Sequence, residues 1–297
     1  MLRNRIGIIL LTALAPSVWG TTYYVTTEFL PPHRPLLAAL LRALPAGLLL
    51  VVITRRLPTG VWWWRALLLG TLNIGAFLAL IFIAAYRLPG GVAATIAALQ
   101  PLLVALLSTG LLGTRLTPRT VLTGLAGVLG VSLLVLKSGT RLDSLGILAA
   151  LASALVMATG VVLSKRWPAP VPVLAATGWQ LVAGGLVLLP VTLLVEGPPP
   201  TVLTARNLGG YAYLGLIGAA LAYALWFRGI RELPPTNVTF LGLLSPVVAT
   251  AVGWLALDQE LTGIQLIGGA MILAALLVAQ LPPGALGRVR RLASRPA

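Results

Sequence analysis

The sequence predicts an all-α polytopic membrane protein, with ten transmembrane helices arranged as two inverted-topology five-helix repeats. Three observations carry that prediction. Of the 297 residues, 58% are hydrophobic and only 9% charged, and the mean hydropathy is +0.99. A soluble chain of this length could not bury so much apolar surface, so its solvent is lipid. The apolar residues also fall into ten runs near the roughly 20 residues that a spanning helix needs. Finally, a proline-interrupted pattern occurs twice at a fixed offset.

The runs cover 6–27, 35–54, 64–86, 91–113, 119–137, 144–164, 172–195, 208–230, 235–257 and 262–281. The first follows Arg3 and Arg5 and has the look of a secretory signal, with Ala13-Leu14-Ala15 as its cleavage site. Its apolar character continues to Val25, however, and it has a counterpart in the second half, so a retained helix is expected. The second run opens at Pro35, and the third follows an interfacial Trp62-Trp63-Trp64 belt. The fourth lies between Leu88-Pro89 and Arg115-Leu116-Thr117 and contains Gln100-Pro101. In the fifth, Gly124, Gly127 and Gly130 permit close helix packing. That spacing specifies no oligomer, and a monomer suffices. The sixth carries Ser153 and Thr159, the seventh Gln180, and the eighth Tyr223, Trp226 and Phe227. The ninth follows Leu233-Pro234 and contains Ser245-Pro246. Glu260-Leu261-Thr262 then opens the tenth.

Leu88-Pro89, Pro101 and Leu116-Thr117 each recur 145 residues later, with Ser245 standing where the first half has Gln100. Tracing outward extends the match: Pro35–Ala39 resembles Pro172–Ala176, Gly70 and Phe82 match Gly215 and Phe227, and Gly124 matches Gly269. The predicted organisation is a first repeat over 1–141, a second over 142–284, and a basic cytoplasmic tail over 285–297. Five is odd, so the second repeat enters the membrane from the opposite side. A pseudo-two-fold axis then lies in the membrane plane, and substrate sites in such folds sit near the midplane.

A formal charge of +15 would suggest nucleic acid in a soluble protein. Here the basic residues other than Arg42 stand at span ends or beyond them. Fifteen fall on the side of the N-terminus, and only Arg34, Arg87, Lys137, Arg141 and Arg206 on the other. The positive-inside rule therefore puts both termini in the cytoplasm and makes the lipid bilayer, not nucleic acid, the macromolecular partner. The tail from Arg288 to Arg295 would rest on anionic headgroups. The arginine-rich, Ala/Gly/Leu/Pro-rich composition suggests a bacterial inner membrane. There is no cysteine. No metal-ligand cluster, phosphate loop or nucleophile–base pair is visible, so no enzyme activity, cofactor or metal is expected.

Trp19-Gly20, Arg42 within Pro35–Leu50, Leu88-Pro89, Gln100-Pro101, Leu116-Thr117 and Ser245-Pro246 together resemble the drug/metabolite transporter superfamily. The resemblance is to its EamA-type ten-helix members, above all the YddG-like aromatic amino-acid exporters. Where that family often has Glu just before helices 5 and 10, this chain has Thr114 and Gln259. The resemblance implies a central cavity formed by helices 1, 3, 4, 6, 8 and 9.

Several residues are candidates for that cavity. Pro101 and Pro246 should kink their helices and loosen the carbonyls of Ala97 and Gly242. Asn73, Gln100 and Ser245 are polar in apolar segments, either as solute contacts or as interhelical bonds. Phe77 shares a helix face with Asn73, as Tyr23 does with Trp19. Tyr223 and Trp226 offer aromatic surface, either to a solute or to lipid. Arg42 could attract a carboxylate, or snorkel to headgroups and serve structure alone. No acid or histidine lies at mid-membrane, which argues against proton coupling and against a site for organic cations.

The expected function is export of small amphipathic metabolites, foremost aromatic or apolar amino acids, by alternating access through the cavity. A multidrug or nucleotide-sugar transporter of the same fold, and a non-transporting membrane scaffold, are the alternatives.

Overall fold

The computed structural model describes residues 2–88, 90–135, 143–200 and 202–281. Pro89, both sides of the 141/142 repeat boundary and the 285–297 tail lie outside the described residues. Within them are ten helices long and apolar enough to cross a membrane.

Six spans are single helices: α1 (Leu2–Phe29), α2 (Pro35–Thr54), α7 (Pro118–Val135), α8 (Ser144–Arg166), α9 (Val173–Val195) and α14 (Gly263–Gln280). The other four are interrupted, in matching pairs. The third span is α3 (Trp62–Gly70) and α4 (Ala76–Arg87), joined by a π-helical turn over Thr71–Gly75. The eighth is α10 (Ala205–Gly215) and α11 (Ala222–Glu232), joined by the same kind of turn over Leu216–Leu221. The fourth span breaks between α5 (Gly90–Ala97) and α6 (Gln100–Leu112), and the ninth between α12 (Pro235–Leu241) and α13 (Leu244–Ala256). Gly70 and Gly215, the last residues before the two wide turns, are 145 apart, as are Pro101 and Pro246 at the two breaks.

Local chemistry explains several ends. Asp143 accepts from the Gly146 N–H at 2.7 Å and so starts α8. Thr204 with Asn207 and Thr262 with Gln265 form reciprocal capping boxes for α10 and α14. Gly113, at φ +67°, adopts the left-handed conformation that closes α6.

The packing keeps its form when the halves are exchanged. α2 lies along α9 and α7 along α14. α1 packs on α11 and α13, and its counterpart α8 packs on α4 and α6. Small residues let these backbones approach. A Cβ on Gly130 would fall 2.9 Å from the Gly268 carbonyl, and one on Gly268 2.6 Å from the Gly130 carbonyl. The glycine spacing of the fifth span is therefore used inside the chain, against α14 and, at Gly124, against Leu102.

Candidate functional site

Between the broken fourth and ninth spans lies a cavity of about 580 Å³, bounded by α1, α5, α6, α7, α12, α13 and the start of α14, so that spans 5 and 10 wall it in place of the third, sixth and eighth spans that the family resemblance implies. Its size falls within the usual range for small-molecule pockets. The breaks themselves form its walls. Gln100-Pro101 enters from one repeat, and Gly242, Ser245 and Pro246 from the other. Gly20 makes the approach of α1 possible: a Cβ there would lie 2.7 Å from both the Ser245 carbonyl and the Val248 Cβ.

The proline chemistry differs from the sequence expectation at one point. Pro246 cannot donate to the Gly242 carbonyl, but Ser245 N–H does so at 3.1 Å. The chain tightens by one residue, and the carbonyl is recaptured within the turn. In the other repeat Leu99 accepts from both Leu102 and Leu103 at 3.0 Å.

Polar groups on the wall are few. The Nε2 of Gln100 is buried without a hydrogen-bond partner. Such a donor costs ~1–3 kcal/mol unless water or a solute satisfies it. Thr250 returns its hydroxyl to the Pro246 carbonyl at 2.9 Å. Gln265 donates to the Leu134 carbonyl at 3.1 Å, tying α14 to α7 at the cavity's edge. Thr239, Thr250, Gln265 and Tyr24 line the cavity without standing out in the sequence, and Gln259, noted there only as a departure from the family pattern, lines it too. Thr250 was findable, since it lies one turn beyond Pro246 on the same face.

Trp19 lines the cavity, and its indole N–H donates to the Gly218 carbonyl at 3.0 Å. Tyr223 and Trp226 do not line it. They stand behind Trp19, with ring centroids 5.1 and 5.2 Å from its own, and only 3% and 2% exposed. Tyr223 stacks in turn on Phe227 at 5.8 Å. The side chain of Tyr23 lies outside the described residues.

Asn73 and Phe77 are likewise not brought to the cavity. The extra residue in the wide turn Thr71–Gly75 aims Asn73 at α8 and α9, where it donates to Ser164 Oγ at 3.0 Å and Gln180 Oε1 at 2.8 Å. It is 0% exposed. Gly160 leaves the room it occupies, since a Cβ there would collide with Asn73 Oδ1. Phe77 packs on the main core, and its carbonyl accepts from Ser153 Oγ at 3.3 Å. Of the sequence candidates, Trp19, Gln100, Pro101, Ser245 and Pro246 meet at one cavity, while Asn73, Phe77, Tyr223 and Trp226 support the helices around it.

The cavity is closed at the end of the bundle where α1 begins. There Ile8 and Ile9 meet Leu103, Leu107 and Leu111 of α6, Ile230 of α11 and Val238 of α12 in one apolar cluster. Lys165, at the end of α8, donates to the carbonyls of Arg231 and Leu233 at 2.8 and 3.0 Å. At the opposite end Leu257 and Gln259 form part of the rim.

The model of the EamA-like transporter family matches residues 5–136 and again 144–280, one match per repeat. The chain is 48% identical to Protein PecM of Dickeya dadantii over 268 residues, which is 90% of either chain. It is 28% identical to the inner membrane transporter YedA of Escherichia coli K12, covering 88% of this chain and 87% of that one. A solved crystal structure of 23% identity superposes with a TM-score of 0.78, covering 92% of this chain and 97% of the other.

Proposed function

The chain belongs to the EamA-like transporter family and is a membrane transporter; from that premise we propose that it exports small amphipathic metabolites, foremost aromatic or apolar amino acids. The observation that supports this reading is the cavity between the two breaks. It is large enough for such a solute, mostly apolar, and carries a few amide and hydroxyl groups at Gln100, Ser245 and Thr239. An aromatic wall at Trp19 suits a flat or apolar side chain. Gln100 Nε2 is a donor with no partner of its own.

The basic residues at the span ends put both termini in the cytoplasm. With that orientation the closed end faces inward and the cavity opens outward. The exchange symmetry of the helix packing then supplies the return state. Two five-span repeats of inverted topology can form the same seal at the other end, which is alternating access. Because no acid or histidine lines the cavity, the solute moves down its own gradient.

Efflux of labelled phenylalanine from loaded proteoliposomes tests the reading. Efflux should proceed without a pH gradient and be competed by other apolar amino acids. Uphill efflux that appears only when protons flow inward overturns the facilitator. Competition by dyes or sugar nucleotides, but not by amino acids, replaces the substrate class. A folded protein that moves none of them is a scaffold.

A further inference from the structure

Arg42 is the eighth residue of α2, about 10 Å from the end of its span by helix rise. The other basic residues stand nearer the ends of their spans or outside them. The Arg42 Nη2 donates to the Gly218 carbonyl at 2.8 Å, and Cζ lies 6.0 Å from the centre of the Tyr223 ring. Its Nε is buried and has no hydrogen-bond partner. The ion pairs among the described residues join Arg87 to Asp143, Arg206 to Glu28 and Arg228 to Glu232, so none neutralises Arg42. Arg42 is half-buried, and the protein offers its guanidinium one carbonyl and one ring face but no opposite charge. Charges inside a spanning bundle are costly, and they mark the path of a solute or ion.

The link to the cavity is a single atom. The Gly218 carbonyl that binds Arg42 also accepts the indole N–H of Trp19, which lines the cavity. The charge therefore sits one side chain behind the wall. Between it and the cavity lie aromatic rings and backbone, a low-dielectric medium in which its field reaches farther than in water. No Asp or Glu is among the lining residues. Asp258 and Glu260 flank the rim residues Leu257 and Gln259, but neither is buried, and water and salt screen them there.

We infer that Arg42 determines the sign of charge that the cavity accepts. Acting through space, it favours solutes that carry a carboxylate, as anion or zwitterion, over organic cations of the same shape. The inference deepens the proposed function and rests on it. Arg42 is then a specificity-determining residue that touches no solute, and its hold on Gly218 also positions Trp19.

The test is competition against labelled phenylalanine in proteoliposomes by four probes of similar shape. They are unlabelled phenylalanine (zwitterion), 3-phenylpropionate (anion), 3-phenylpropanol (neutral) and 2-phenylethylamine (cation). The wild-type protein should bind the zwitterion and the anion at least ~10-fold more tightly than the cation. Arg42→Gln keeps an amide donor for the Gly218 carbonyl but removes the charge, and should bring the four within about threefold of each other. Arg42→Lys keeps the charge and should keep the ranking. A wild-type protein indifferent to probe charge overturns the assignment, as does an Arg42→Gln variant that weakens all four by the same factor. If Arg42→Gln fails to fold, the wild-type ranking and Arg42→Lys decide. Absence of binding by every probe removes the proposed function first, and this assignment with it.

Discussion

At one end of the bundle, Lys165 at the close of α8 reaches across to the carbonyls of Arg231 and Leu233, where α11 ends. The offset that joins Pro35 to Pro172 joins Glu28 to Lys165, and the offset of 145 joins Leu88 to Leu233. The corresponding contact at the other end would therefore bring Glu28 to Tyr86 and Leu88, on either side of Arg87. It is not made. Glu28 pairs instead with Arg206 at 3.2 Å, and Arg87 with Asp143 at 3.7 Å. The same repeated parts are latched at one end and parted at the other. The cavity lies on the parted side, at the level of both breaks. Under the proposed function, transport is the exchange of these two arrangements.

The largest expected effect comes from fixing the parted end shut. The chain has no native cysteine, so Glu28→Cys with Arg87→Cys gives a clean pair. Oxidation should abolish transport and reduction should restore it, as read by efflux before and after dithiothreitol. Full transport with the disulfide quantitatively formed would break the comparison. Next is Gly20→Val, which forces α1 off the Ser245 carbonyl and Val248. Overpacking of this kind costs ~1–3 kcal/mol, and transport should fall ~10-fold or more at equal amounts of folded protein.

Lys165→Ala removes two hydrogen bonds from the latch. At ~1 kcal/mol each or somewhat less, the ratio of the two states should shift by about tenfold toward the inward-open form. The readout is a slower reaction of a cysteine at Ala249, on the cavity wall, with an outside thiol reagent. The smallest effects separate wall from support. Gln100→Ala and Ser245→Ala should raise KM about 3–10-fold with little change in stability. Asn73→Ala should leave KM alone and lower thermal stability by ~1 kcal/mol, since it loses bonds to Ser164 and Gln180. A raised KM for Asn73→Ala, with unchanged stability, would move Asn73 to the solute's side.

Much of the fold was legible because lipid restricts the choices. Length and hydropathy give the ten spans, and the recurrence of Pro101 at Pro246 marks both breaks. Each break falls a little upstream of its proline, at Ala98-Leu99 and Gly242-Leu243, because the missing N–H and the ring both act on the preceding turn. The wide turns were not legible. Thr71–Gly75 and Leu216–Leu221 contain no proline, so nothing in the sequence interrupts the ordinary helical period across them. One extra residue in each turn rotates the helix beyond it. That is why Asn73 and Phe77 share a predicted face but serve the core, and why Tyr223 and Trp226 end up behind Trp19. The cavity residues that did emerge, Trp19, Gln100 and Ser245, lie outside the wide turns. Thr239 and Gln265 were missed because an isolated threonine or a capping glutamine looks the same whether it faces a solute or a helix end.

Transport by this route depends on one asymmetry, a cavity open opposite the N-terminus and sealed beside it. Single cysteines at Ala249, on the cavity wall, and at Leu107, in the seal, measure it directly in vesicles of known orientation. A membrane-impermeant thiol reagent added from outside should label the Ala249→Cys variant and spare Leu107→Cys, and phenylalanine should protect the labelled site. Labelling of Ala249→Cys only from the cytoplasmic side, or of both positions equally from outside, would contradict it.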